Sequence, residues 1–304
     1  MIKTDKKIIV VLGPTASGKS DLAVELAIKH NGEIVSADSR QVYKGLDIGS
    51  GKISEKEMRG IPHHLLDVAS PRRIFTASDY GQLSKKAIDD ILRRGKLPIV
   101  CGGTGFYIDA LLYDDAIAPI PPNPKIRKTL EKLSTEKLAA KLSDIDPDRF
   151  ASIDRKNRVR LIRALEIVMA SGKPVPKPKR RARYDTLKIG ISYPMEKLDE
   201  RIEVRLDKRL QSGMVDEVKR LYKNGLSWKR LFDLGLEYRY ISLYLRGQLS
   251  CEEMRQELLK AIRQYARRQM TWFKKDQTIK WIKDKSEADR LLEEFLKTDI
   301  SAKL

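Results

Sequence analysis

Cysteine and histidine are scarce in this 304-residue chain: Cys101 and Cys251, with His30, His63 and His64, are the whole supply. Two cysteines make neither a disulfide framework nor a metal quartet, and three histidines add too little for a structural zinc site. A reducing compartment, the cytoplasm, is therefore expected. Long apolar runs are missing as well. None approaches the roughly 20 residues of a membrane span, and the first residues carry no signal-like apolar segment, so no membrane partner is expected. Negative charge is also short, with 42 Asp and Glu against 61 Lys and Arg, a net charge of +19 and a pI near 9.7. A phosphate pocket occupies one or two cations, so most of this excess implies a larger polyanion such as nucleic acid; the alternative is a basic surface with no committed partner. With 41% hydrophobic and 34% charged residues, a soluble globular chain of about two domains is expected.

What is present begins with Ile8 to Ser20, IIVVLGPTASGKS, where a buried-strand run stops at Gly13 and a helix begins at Lys19. The stretch fits the phosphate-binding P-loop, G-x-x-x-x-G-K-[ST]. Gly13 and Gly18 permit the tight turn, and the amides of Thr15, Ala16, Ser17, Gly18, Lys19 and Ser20 are expected to point inward, where the helix adds partial positive charge. Lys19 would reach the outer phosphates and the Ser20 hydroxyl would ligate Mg²⁺. Leu22, Ala23, Leu26 and Ala27 supply the apolar stripe the context requires. The motif fixes a bound phosphate or diphosphate and leaves the reaction open.

A short strand over Glu33 to Ser36 delivers Asp38, Ser39, Arg40 and Gln41 to the sheet edge where ligands of open α/β sheets bind. A carboxylate there repels a phosphate unless Mg²⁺ or a proton-transfer role compensates; a helix N-cap is the plainer alternative. His63 and His64, adjacent in a strand, point to opposite faces and do not easily share a metal. A helix over Thr76 to Arg94, with Leu83, Ala87, Ile88, Ile91 and Leu92 on its apolar face, stops at Gly95. Leu97 to Cys101 is another buried strand. It runs into Gly102-Gly103-Thr104-Gly105 and a helix carrying Phe106, Tyr107, Leu111 and Leu112. Repeated strand–helix units define an α/β fold with a parallel sheet, and Thr104 falls on the same edge as Lys19 and Asp38. The strand ends in Cys-Gly-Gly, without the acidic residue that holds Mg²⁺ in NTP-hydrolysing P-loop proteins, which weakens a hydrolase or motor reading.

The proline-dense stretch from Ala118 to Pro124 marks a domain boundary. Residues 1–119 and 187–304 are assigned to the core, and 120–186 to a helical insertion with helices over Arg127 to Leu142 and Arg155 to Ser171. Lys177 to Arg183, KPKRRAR, reads as a solvated loop, with nucleic acid contact as the functional alternative. Leu187 to Tyr193 returns to the sheet, and only helices are expected after it. The last long one, Ser250 to Lys274, opens on a Ser250–Glu253 capping box. Its stripe includes Leu258, Ile262, Tyr265 and Met270; Arg255, Arg263, Arg267 and Arg268 read mainly as a solvated basic face, and Trp272 and Phe273 close it.

Five stretches in order, GPTASGKS (13–20), SADSRQVY (36–43), GGTGFY (102–107), RALE (163–166) and RQYARRQ (263–269), with Trp272-Phe273 closing the set, resemble the tRNA dimethylallyltransferase family over nearly the whole chain. The resemblance implies a P-loop nucleoside-kinase-like parallel sheet core with a helical insertion. It also implies transfer of a dimethylallyl group from dimethylallyl diphosphate to the N6 amine of the tRNA adenosine immediately 3′ of the anticodon, with the P-loop holding a diphosphate rather than ATP. Asp38 matches the family's general base, Thr104 its threonine near the transferring group, and Arg205 a cation facing the diphosphate; Lys19, the loop amides and Mg²⁺ would stabilise the leaving group. Contacts to tRNA are implied for Asp38, Ser39, Arg40, Gln41, Thr104 and Arg127, for Arg160 and Arg163 in the 159–163 stretch, and for Tyr238 and Arg239 in the 234–239 segment. In that segment Glu237 stands where the family commonly has a small residue. The target base would be flipped out of its stack at a cost of a few kcal/mol. A compact, bacterial-type, monomeric enzyme without the zinc-finger extension of eukaryotic relatives is expected. Three rivals are a prenyltransferase of free adenine nucleotide, a small-molecule P-loop kinase and an RNA-binding module with a vestigial loop. Strong basicity and the helical insertion disfavour the first two, and intact Gly13, Gly18, Lys19, Ser20 and Asp38 disfavour the third.

Overall fold

Five short runs that carry branched side chains, with the two-residue run His63–His64, pair into one parallel sheet. A computed structural model of the chain describes residues 6–114, 118, 120–177 and 180–298. The strands are β1 (Lys7–Leu12), β2 (Gly32–Ser36), β3 (His63–His64), β4 (Leu97–Gly102), β5 (Asp185–Ile191) and β6 (Ile279–Ile282), in the order β3-β2-β4-β1-β5-β6. Central β1 sets Val11 opposite Cys101 of β4 and Ile189 of β5. The helices are α1 (Lys19–Lys29), α2 (Glu55–Met58), α3 (Ala77–Arg93), α4 (Gly105–Leu112), α5 (Pro124–Leu130), α6 (Thr135–Ile145), α7 (Pro147–Ser152), α8 (Arg158–Ser171), α9 (Met195–Gln211), α10 (Met214–Lys223), α11 (Trp228–Leu234), α12 (Leu236–Leu245), α13 (Cys251–Phe273) and α14 (Lys285–Lys297).

A parallel sheet is covered on both faces, which is why its strands read as nearly continuous apolar runs. Ile9, Val11, Ile34, Ile99 and Ile189 join Leu22 and Leu26 of α1 and Leu292 of α14 in one cluster. Strand alternation turns Ile8, Val10 and Leu12 to the opposite face, where they are equally buried and where α3 packs on β2 and β4. Leu83 does not belong to the buried face of α3; it is exposed, and Tyr80, Gly81 and Ser84 are buried instead.

The chain divides into two compact units, 1–112 with 182–304, and 113–181. The boundaries read from sequence fall several residues too late, because Asp185 and Thr186 already pair with Lys7 and Ile8. Pro119, Pro178 and Lys179, within the proline-dense and basic stretches, lie outside the described residues. The second unit holds α5 to α8 around Leu130, Leu138, Leu142, Leu161 and Leu165. The helix expected over Arg127 to Leu142 is two helices, since the Ser134 side chain accepts from the Lys137 amide and starts α6 afresh. Asn157 likewise caps α8, which begins at Arg158 rather than Arg155. Glu166 on α8 is fully buried and accepts from the Asn123 amide (2.7 Å), Arg127 (2.8 Å) and Arg163 (2.8 Å). Burial works against its charge, but these donors outweigh it and hold the carboxyl below the usual range.

Two further differences from the sequence reading concern the first unit. Strand β6 was unforeseen: four residues between two helices, recognisable only by their pairing with β5. The basic face of α13 is not simply solvated, because Arg255 pairs with Glu203 and Asp207, Arg263 with Glu203, and Arg267 with Asp199, tying α13 to α9.

At the amino end of β2, Glu33 is nearly fully buried and bound by Arg94 (2.7 Å), His64 (2.7 Å) and Lys96 (2.9 Å). The Arg94 guanidinium holds its carboxyl far below the usual carboxylate range. A depressed native pKa contributes stability above the unfolded value of about 4.3 and loses it as pH falls below that. Glu33→Gln is therefore expected to cost about 3 kcal/mol in urea unfolding at pH 7, with the gap to wild type narrowing as the pH is lowered through about 4.

Candidate active site

Parallel strands present all their carboxyl ends at one edge, and three of them deliver the site. After β1 the P-loop turns through Ala16 (φ 62°) and Gly18 (φ 80°), left-handed conformations that aim successive amides at a common point. Glycine adopts this freely; Ala16 is strained there, and Arg201 from α9 steadies it by donating Nε–H to the Ala16 carbonyl (2.8 Å). Helix α1 starts on Gly18 without a side-chain cap, so the amides at its head have no intrahelical acceptor. The Ser17 hydroxyl is buried without a protein partner among the described residues. The expectation that all amides from Thr15 onward face inward is corrected at two positions: Thr15 donates to Gln269 Oε1 (2.9 Å) and Ser17 to the Pro14 carbonyl (3.3 Å).

Lys19 extends across the loop, its ammonium donating to the Pro14 carbonyl (3.2 Å). Burial pushes its pKa down, Cys101 and Asp38 pull it up, and Arg205 pushes it down again. After β2 comes Asp38, whose Oδ1 accepts from the amides of Arg40 (2.8 Å) and Gln41 (3.3 Å). That local turn fixes the carboxylate and leaves Oδ2 for a ligand. After β4 the Thr104 amide donates to the Ala37 carbonyl (3.1 Å) and its hydroxyl accepts from the Ser39 amide (3.1 Å). The backbone on both sides of Asp38 is thus tied to Thr104. Tyr265 on α13 shares the cavity with Asp38, and burial, helped by Asp38, pushes its phenol up to about 12.

Two adjoining cavities use this edge. One, about 310 Å³, is lined by Thr15, Lys19, Ser20, Asp38, Ser39, Arg40 and Gln41, with Arg205, Arg209, Arg239, Tyr265, Arg268 and Gln269 opposite. The other, about 520 Å³, lies against Ala16 to Asp21 with Arg201, Arg205 and Lys208. Lys19, Ser20, Gly51 and Arg205 border both. Arg205 donates to the Gly51 carbonyl (3.2 Å), and burial lowers its pKa. The loop that presents Gly51 is held from outside: Glu217 accepts from the amides of Asp47 (3.0 Å), Ile48 (2.6 Å) and Gly49 (2.9 Å), while Arg209 donates to the Ile48 carbonyl (2.6 Å) and pairs with Glu237 (3.0 Å).

Of the residues read as tRNA contacts, Asp38 to Gln41 and Arg239 line the smaller cavity and Thr104 braces its wall, whereas Arg127, Arg160 and Arg163 belong to the other compact unit. Tyr238 is corrected: it is 1% exposed and donates its hydroxyl to Glu217 (3.0 Å), so it supports the 47–49 loop and faces no ligand. Glu237 has the structural task of pairing with Arg209. Sequence reasoning missed Arg209 and Glu217, and it singled out Gln269 within RQYARRQ without a role. The available signal for Gln269 was a polar residue within the buried stripe Ile262, Ala266, Phe273.

A P-loop with a carboxylate and a threonine at its side, in a cation-lined cavity of a parallel α/β sheet, defines a P-loop transferase. The model of the IPP transferase family matches residues 41–276, and the chain belongs to that family. It is 41% identical over 280 residues to the tRNA dimethylallyltransferase of Anoxybacillus flavithermus, covering 91% of this chain and 90% of that one, and 39% identical over 290 residues to the enzyme of the same name from Bacillus subtilis, covering 92% of each. Among solved structures, the tRNA isopentenylpyrophosphate transferase of Bacillus halodurans superposes with a TM-score of 0.73 at 34% identity, covering 97% of this chain and 99% of that one. A eukaryotic dimethylallyltransferase acting on tRNA gives 0.79 at 29% identity, covering 96% of this chain and 78% of that one. Among the described residues no helix is long and apolar enough to cross a membrane.

Tyr238→Phe tests the supporting role: it is expected to lower the unfolding free energy, measured by urea denaturation, by about 1.5 kcal/mol, a loss that a hydroxyl facing solvent would not give.

Proposed function

We propose that this chain transfers a dimethylallyl group from dimethylallyl diphosphate to the N6 amine of adenosine 37, 3′ of the anticodon in tRNA, releasing diphosphate. The observation that carries this reading is the cavity lined by Thr15, Lys19 and Ser20 of the P-loop together with Asp38, whose neighbours Ala37 and Ser39 are tied to Thr104. The exocyclic amine of adenine is a poor nucleophile because its lone pair is delocalised into the ring. As it attacks the allylic carbon, positive charge builds on nitrogen and the carbon–oxygen bond to the diphosphate breaks. Asp38, fixed through Oδ1, takes the N6 proton on its other oxygen. Negative charge on the leaving diphosphate meets the amides at the head of α1, Lys19 and Arg205.

No group of three or more His, Cys, Asp or Glu able to hold a metal exists among the described residues. A lone hydroxyl beside a phosphate cradle nevertheless suits Mg²⁺, which keeps waters and takes phosphate oxygens. Ser20 would hold it, and the ion would neutralise charge on the diphosphate. Ser39, Arg40, Gln41 and Arg239, on the wall of the smaller cavity, would meet the RNA around the extruded base, and the exposed Arg160, with Arg127 and Arg163 steadied by Glu166, would supply phosphate contacts. The relatives named above act on tRNA, which favours tRNA over free adenine nucleotide.

Purified protein given dimethylallyl diphosphate, Mg²⁺ and unmodified tRNA is expected to add one dimethylallyl group per tRNA, read by nucleoside mass spectrometry. Modification of AMP but not tRNA would overturn the substrate. Asp38→Ala is expected to slow single-turnover transfer by roughly 10²–10⁴ with a far smaller loss of tRNA affinity; an equal loss of both would sink the general-base role.

A further inference from the structure

Gln269 is an amide side chain placed where its helix otherwise shows apolar residues. It is 6% exposed, in line with Ile262, Ala266 and Phe273. Its Oε1 accepts from the Thr15 amide (2.9 Å) and its Nε2 donates to the Gly103 carbonyl (2.8 Å). Only one orientation of the carboxamide satisfies both partners. Gly103 must be glycine for this approach, since a Cβ there would run into the amide.

The position of the capped amide matters. In loops of this kind the lysine reaches over the two outer phosphates of a triphosphate chain, and the Lys19 ammonium rests on the carbonyl of Pro14. The Pro14–Thr15 peptide is the one whose N–H Gln269 occupies, so the capped donor stands at the outer end of the cradle. The amides of Gly18, Lys19 and Ser20 at the head of α1 remain for an inner pair of phosphates.

Resting on the diphosphate reading of the loop, we propose that Gln269 sets the length of the phosphate chain the site accepts. A third phosphate at the outer end would find its amide donor already engaged and a carbonyl oxygen in its place, acceptor against anion. A diphosphate makes no demand on that position. Through Nε2 the same side chain also fixes the turn that carries Thr104. Gln269 is therefore a specificity and positioning residue, reaching the leaving group only through the backbone it holds.

The test is isothermal titration of the full chain with inorganic pyrophosphate and with tripolyphosphate, both with Mg²⁺. Wild type is expected to prefer pyrophosphate by about tenfold or more, and Gln269→Met, which keeps volume and frees the Thr15 amide, to bring the ratio to within about threefold of unity. Gln269→Glu keeps an acceptor for Thr15, loses the donor to Gly103 and adds a carboxylate, so it should weaken both ligands while keeping or increasing the preference for pyrophosphate. A purely structural role would alter thermal stability and leave the ratio alone. An unchanged ratio in folded Gln269→Met, or a preference lost equally in Gln269→Glu, overturns the assignment to Gln269 while the diphosphate reading stands. Failure of wild type to bind either ligand overturns both.

Discussion

A helix that begins on glycine with no side chain to cap it leaves its first amides without acceptors, and the surroundings of α1 answer to that demand. Strand β1 delivers the turn, left-handed Ala16 and Gly18 curl it, and Lys19 and Arg205 add formal charge to the partial charge of the helix end. The unpaired donors are an anion site by construction. Asp38 tolerates that neighbourhood because two backbone amides hold one of its oxygens, so the carboxylate neither swings onto Lys19 nor blocks the loop.

The basic residues are unevenly used. Some serve internal acids: Arg94 and Lys96 serve Glu33, Arg127 and Arg163 serve Glu166, and three arginines of α13 serve the acids of α9. Exposed pairs of the last kind contribute little one by one and more as a network. Arg40, Arg205, Arg239 and Arg268 are different, because they converge on one cavity. A count of charges points to a polyanion; only the fold separates the cations that build the protein from those that face a ligand.

The parallel sheet was legible because β1 and β4 are buried on both faces and read as apolar blocks running into glycine turns, and the P-loop was legible because its spacing is fixed by geometry. Asp38 and Thr104 could be placed from strand ends alone. Tyr238 could not: whether a tyrosine on α12 faces a ligand or Glu217 depends on how α12 packs, which no local pattern carries. Strand β6 escaped because IKWI is too short to show a period, and the break at Ser134 escaped because a cap outweighs an apolar stripe that continues past it. Gln269 and Glu217 act on backbone groups distant in sequence, so their partners appear only once the chain is folded.

The P-loop also depends on residues far from itself. Its strained Ala16 leans on Arg201 and its Thr15 amide on Gln269, both of which follow the inserted helical unit. During synthesis the motif emerges near the start, yet the side chains that give it shape arrive only with α9 and α13. The nascent chain would carry the sequence of a phosphate cradle long before its conformation, so competence to grip an anion comes late, and a fragment ending before α9 would have the letters without the site.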